Sequence, residues 1–176
     1  MASGHGVMVG NGGSGRKSLV TLATFIMGMK PFSVELKKIN KDDFFCQWYA
    51  YLQLILYKTG VEEKPHVFML QDRNIIYETM LEDISNILNN GEVPNLFEAK
   101  TKIKVPEVIS GQIPDAGYKK DEVMVPIQAK LKAKGFKGEQ PDDKKWKEFI
   151  EGVKQNLHIV VVQSPSGEEF RVRMRS

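Results

Sequence analysis

The chain has one cysteine, Cys46, in 176 residues. An internal disulfide is therefore excluded, and the composition fits a reducing compartment. No run approaches the roughly 18 apolar residues of a membrane span. The opening Met1-Ala-Ser-Gly-His-Gly6 lacks a basic start, and Val7–Val9 is too short for the apolar region of a signal peptide. The expectation is a soluble, cytosolic protein. Net charge is only +3, which argues against nucleic acid or an anionic membrane as the main partner. His5, His66 and His158 are far apart and show no metal-ligand spacing, so no metal site is expected on them. There is no internal repeat and no low-complexity tract.

What is present is globular. The sequence is 41% hydrophobic and 27% charged, enough for one core in a single domain. Val7-Met8-Val9 reads as a buried strand that runs into a glycine loop. From Lys17 to Met29 the period becomes helical, with Leu19, Leu22, Ala23 and Ile26 as the apolar stripe and Pro31 closing the unit. Phe32–Leu36 alternates as a second strand. Asn40, Asp42 or Asp43 can cap a helix carrying Phe44, Phe45, Trp48, Leu52, Ile55 and Leu56 on one face, with Gly60 as its end. Its aromatics and Cys46 are expected in the core.

His66–Leu70 is a third, nearly all-apolar strand. Ile76, Met80, Leu81, Ile84, Ile87 and Leu88 follow as a helical stripe, stopped by Asn89-Asn90-Gly91. Residues 92–120 have no clear period and several prolines and glycines, and 121–135 could be a polar helix. A helix starting near Pro141-Asp142 carries Trp146, Phe149, Ile150, Val153 and Leu157. His158–Val162 is a fourth apolar strand, followed by the turn Ser164-Pro165-Ser166-Gly167. The lysines between Lys119 and Lys147 read as a solvated face, since nucleic acid would call for clustered arginine with interleaved aromatics. Apolar strands alternating with helices predict an α/β fold with a parallel sheet covered on both faces.

Between the first strand and the first helix lies Gly10, Asn11, Gly12, Gly13, Ser14, Gly15, Arg16, Lys17, Ser18. Gly10 and Gly15 match both glycines of the phosphate loop G-x-x-x-x-G-K-[ST]. Glycines let the backbone wrap around phosphate oxygens with N–H groups inward, and the helix adds the positive end of its dipole. The next positions differ. Arg16 stands where lysine is usual, Lys17 where the magnesium-binding hydroxyl is usual, and Ser18 comes one place late. Arg16 keeps a cation near the phosphates, whereas Lys17 cannot bind magnesium.

A phosphate loop works with an acid at the end of a neighbouring strand. In many ATPases an aspartate holds magnesium and a following glutamate activates water. Here Val67-Phe68-Met69-Leu70 leads into Gln71 and Asp72, so Gln71 replaces the aspartate and Asp72 the glutamate. Asp72 could be a weak catalytic base, a residue that swings in toward a metal, or an ordinary strand-end acid. Ser164 follows the fourth strand, where a polar residue often senses the γ-phosphate, and it could equally be a simple turn serine.

Three segments carry a resemblance. They are Gly6–Leu19, Leu81–Phe97 with its Glu92-Val93-Pro94, and Asn156–Gly167 with its Ser-Pro turn, followed by Phe170-Arg171. Together they resemble the fourth AAA+ module of dynein heavy chains, axonemal rather than cytoplasmic in detail because Asp-Glu is missing after the third strand. The resemblance covers most of residues 6–175 and is weakest over about 98–145. It implies a P-loop NTPase (AAA+) large subdomain over 1–176: a three-layer α/β/α sandwich with strand order 5-1-4-3-2, truncated at strand 5, and a loop-rich insertion over about 98–140.

The resemblance also implies ATP or ADP as ligand. Magnesium is compatible with such a nucleotide, although its usual protein ligands are substituted. Partners would be the neighbouring AAA+ modules of a six-module ring, with microtubules reached only through the parent heavy chain and no nucleic acid or membrane. The place would be the cytoplasm, in the cytoskeleton of a cilium or flagellum axoneme. In this family the first module is the main hydrolysis site and the fourth is regulatory. Missing lid, linker and stalk segments lead to the expectation of a gene fragment or a relict protein. A nucleotide-free structural module and a standalone phosphotransferase are the alternatives.

Overall fold

The computed structural model describes residues 4–36, 40–98 and 118–165. Among the described residues four strands form one sheet: β1 (Gly6–Val9), β2 (Lys30–Ser33), β3 (His66–Gln71) and β4 (Leu157–Gln163). All neighbours pair in parallel, in the order β1-β4-β3-β2. That is the 1-4-3-2 part of the expected order; the segment expected to form strand 5 lies outside the described residues. Among the described residues five α-helices accompany the sheet: α1 (Arg16–Ile26), α2 (Lys41–Gly60), α3 (Glu78–Asn90), α4 (Lys120–Ala133) and α5 (Asp142–Asn156).

Side chains alternate across the pleat. Phe68 and Leu70 of β3 and Leu157 and Ile159 of β4 enter a large cluster with α2, α3, α4 and α5. Val67, Met69 and Val162 enter a small cluster with Val20 of α1 on the other face. Helices thus lie on both faces of the sheet. The larger cluster is built around α2, whose Trp48, Leu52, Ile55 and Leu56 are fully buried. The aromatic helix is core, as its spacing predicts. Cys46 is half-buried.

Helices α2 and α5 meet at two glycines. A Cβ on Gly152 would come within 2.8 Å of the Gly60 carbonyl oxygen, and one on Gly60 within 2.5 Å of the Phe149 ring. Gly60 ends α2, as expected, and its missing side chain also lets two helices touch.

Three expectations shift. Pro31 does not end the first unit but lies inside β2, which spans Lys30–Ser33 rather than 32–36. β2 is the last strand on its side of the described sheet, where a missing N–H is tolerated. Beyond it, Val34 is buried and its carbonyl accepts from Asn74 Nδ2 at 2.7 Å. On α1 the expected stripe faces outward: Leu19, Leu22 and Ile26 are exposed, and Val20 and Thr24 meet the sheet instead. Thr24 can be buried because its hydroxyl donates to the Val20 carbonyl at 2.7 Å. Finally, α4 is not polar all round, since Val123, Met124, Ile127 and Leu131 are buried. It begins within the stretch expected to be an insertion; residues 99–117 of that stretch lie outside the described residues.

Candidate functional site

The C-terminal ends of β1, β3 and β4 and the start of α1 meet at one edge of the sheet. Ligands of open parallel sheets bind at this edge. β1 ends at Val9, and residues 10–15 form the loop into α1. Gly13 (φ 78°) and Gly15 (φ 75°) adopt left-handed backbone there, with Gly15 as the residue before the helix. A side chain at either would be strained, so the glycine-rich spelling follows from the turn itself. The Gly10 amide donates to the Gln163 carbonyl at 3.1 Å, tying the loop to the end of β4. Asn11, Gly12, Gly13, Ser14, Gly15, Lys17 and Ser18 are exposed, and Arg16 is half-buried.

Arg16 does not point freely into solvent. Its stem folds back over Gly10, where a Cβ would lie 3.2 Å from Arg16 Cδ. Its guanidinium donates to the Gln163 carbonyl and, at 3.3 Å, to Ser164 Oγ. Ser164 in turn donates its amide to Asp72 Oδ2 at 2.9 Å, while Asp72 Oδ1 accepts from the Arg73 amide at 2.8 Å. Partial burial would raise the Asp72 pKa. Hydrogen bonds from the Ser164 side chain and from the Arg73 and Ser164 amides, together with the Arg16 charge, outweigh that and hold it below the usual carboxylate value.

The structure therefore brings Arg16, Asp72 and Ser164 into one network. Gln71 closes β3 in register with Val162. Lys17 and Ser18 take no part in the hydrogen bonds described around Asp72 and Ser164. Gln163 is the residue that sequence reasoning missed. Its main-chain carbonyl receives both Gly10 and Arg16, and a carbonyl carries no residue signature that could have announced it. Among the described residues, no group of three or more His, Cys, Asp or Glu side chains is placed to hold a metal ion. At the opposite end of the strands, His158 Nδ1 lies 2.9 Å from the Gly4 carbonyl and His5 Nδ1 accepts from the Ile159 amide at 3.1 Å. Both ring nitrogens serve backbone pairing.

A parallel α/β sheet, a glycine loop between its first strand and first helix, and polar groups converging from the two adjacent strand ends define a P-loop domain. Over residues 1–176 the chain matches the family described as the P-loop containing dynein motor region D4, and it belongs to that family. It is 39% identical over 173 residues to dynein axonemal heavy chain 6 of Homo sapiens, covering 98% of this chain and 4% of that protein. It is 37% identical over 172 residues to the Dynein-1-beta heavy chain, flagellar inner arm I1 complex, of Chlamydomonas reinhardtii, covering 98% and 3% respectively. The Dynein alpha chain, flagellar outer arm, of the same organism is 32% identical over 171 residues. The chain thus spans only a few per cent of the length of these relatives.

Proposed function

We propose that this chain is the nucleotide-binding, regulatory D4 module of an axonemal-type dynein heavy chain, holding ATP or ADP with little or no hydrolysis of its own. The observation that carries this reading is the engagement of Asp72. Both of its oxygens accept backbone amides and its pKa is held low. A carboxylate so occupied is a poor proton acceptor for water, because general-base strength falls with pKa. Asp72 then braces the ends of β3 and β4, and Ser164 is the candidate sensor beside it.

The ligand fit supports phosphate more than metal. Gly10–Ser18 offers a loop entering a helix N-terminus, with Arg16 and Lys17 as cations. The same loop has Lys17 at the hydroxyl position, and β3 ends in the neutral Gln71. Such donors suit magnesium poorly.

The outward face of α1 favours a module in a larger assembly over a standalone phosphotransferase. Leu19, Leu22, Phe25, Ile26 and Met27 are exposed, and among the described residues nothing covers them. An apolar patch of this kind marks a surface that packs against something else. In this reading the neighbours are other AAA+ modules of the heavy chain. Microtubules are reached only through that parent, in the axoneme of a cilium or flagellum.

Binding tests the reading. At nucleotide concentrations 100 times the dissociation constant, stability should rise by about 2.7 kcal/mol, seen as a higher melting temperature with millimolar ADP or ATP. The contacts of Arg16 with Gln163 and Ser164 at the end of β4 favour the alternative of a nucleotide-free structural module. A flat melting temperature would select that alternative.

A further inference from the structure

The Arg16 network has a consequence for how the loop is emptied and filled. Two loop donors, the Gly10 amide and the Arg16 guanidinium, converge on the single Gln163 carbonyl. The other arm of the guanidinium reaches Ser164 Oγ at 3.3 Å, and the Ser164 amide is fixed by Asp72 at 2.9 Å. The cation of the phosphate loop is thus already spent on the ends of β4 and, through Ser164, β3. The planar fork of arginine makes this possible, since it can serve two acceptors at once where a lysine ammonium presents a compact point charge.

We propose that Arg16 is a latch: in the empty loop it is an internal ligand of Gln163 and Ser164, and a bound nucleotide displaces it from them. The inference rests on the nucleotide-binding reading above. A phosphate oxygen is a stronger acceptor for a guanidinium than a neutral carbonyl or hydroxyl, which gives the direction of the exchange. Release leaves Gly10 on the Gln163 carbonyl but takes the donor away from Ser164 Oγ. The hydroxyl beside Asp72 is then free to reorient. Occupancy of the loop is thereby reported at the ends of β3 and β4. The latch opposes binding by the free energy of the contacts that must break.

The test is an ADP titration of the ¹⁵N-labelled 176-residue chain without added divalent metal, with calorimetric affinities for the unaltered chain, Ser164→Ala and Arg16→Lys. ADP has no γ-phosphate, so a sensor role for Ser164 does not enter. A dispersed amide spectrum establishes that each variant is folded. The Arg16 Nε–H and Ser164 amide signals should shift together with one midpoint in the unaltered chain. Ser164→Ala, which removes one latch acceptor, should bind ADP about three- to tenfold more tightly. In Arg16→Lys, which lacks the two-acceptor fork, the Ser164 amide should no longer follow ADP. Saturable binding with unchanged or weaker affinity in Ser164→Ala, or with a stationary Ser164 amide in the unaltered chain, overturns the latch and leaves nucleotide binding standing. Binding by Ser164→Ala alone supports the latch. Absence of binding in all three proteins overturns the nucleotide reading and the latch with it.

Discussion

Asp83 on α3 is buried in the core, and its Oδ2 accepts from Trp48 Nε1 at 2.8 Å. Burial raises its pKa above 3.8, the Trp48 hydrogen bond lowers it in part, and the Glu82 charge raises it further. A raised folded pKa means that the fold favours the protonated acid. Asp83 therefore supports stability most fully below pH about 3.8, and that support is lost as pH rises through the folded value. At neutral pH the buried carboxylate opposes folding. Asp83→Asn keeps an acceptor for Trp48 and removes the charge. At pH 7 it should melt about 2–4 °C higher than the unaltered chain, the shift that ~1 kcal/mol gives at this size. The difference should shrink toward pH 4 in parallel thermal scans. Asp72 has the opposite sign: its lowered pKa supports the fold above pH 3.8, and that support disappears as pH falls through the folded value. At this scale the members of the candidate site could be picked out one by one. Gly10, Gly15, Arg16, Asp72 and Ser164 could all be singled out by spacing. Their mutual hydrogen bonds could not, because those depend on which strand ends become neighbours and on a carbonyl, that of Gln163.

The strands and helices were mostly readable because each strand is a short apolar run and each helix carries a periodic stripe. The misreadings have physical causes. Pro31 reads as a terminator, yet an edge strand accepts it. Gly60 does end α2 as expected, but its close contact with Gly152 could not be read from the sequence. The α1 stripe reads as core-facing because period alone cannot tell which apolar side meets the sheet, and α1 is apolar on more than one. The Gly60–Gly152 contact yields a direct prediction. Gly152→Ala places a methyl within 2.8 Å of backbone on α2, which cannot move as a side chain can. The cost should be about 1–3 kcal/mol, read as a lower denaturant midpoint with an unchanged slope. A neutral result would mean that α2 and α5 slide apart freely.

As a whole molecule, the chain is a P-loop sheet with one face well covered and the other covered, among the described residues, by α1 alone. The well-covered face holds the large core around Trp48 and Phe68; the other carries the exposed Leu19, Leu22, Phe25 and Ile26. The fold class follows from the sequence because apolar strands alternating with helices predict a parallel sheet covered on both faces, whereas the strand order 1-4-3-2 was implied by the family resemblance and not by the pattern. What the loop does with a nucleotide depends on distances of tenths of an ångström at Arg16, Asp72 and Ser164, which no residue pattern encodes. The central claim is that this loop holds a nucleotide without cleaving it. Its most direct test is a single-turnover assay with excess chain over ATP and magnesium present, following the identity of the bound nucleotide. The account predicts that the bound nucleotide is still ATP after many minutes. Conversion to ADP and phosphate faster than about 1 per second, abolished by Asp72→Ala, would contradict it.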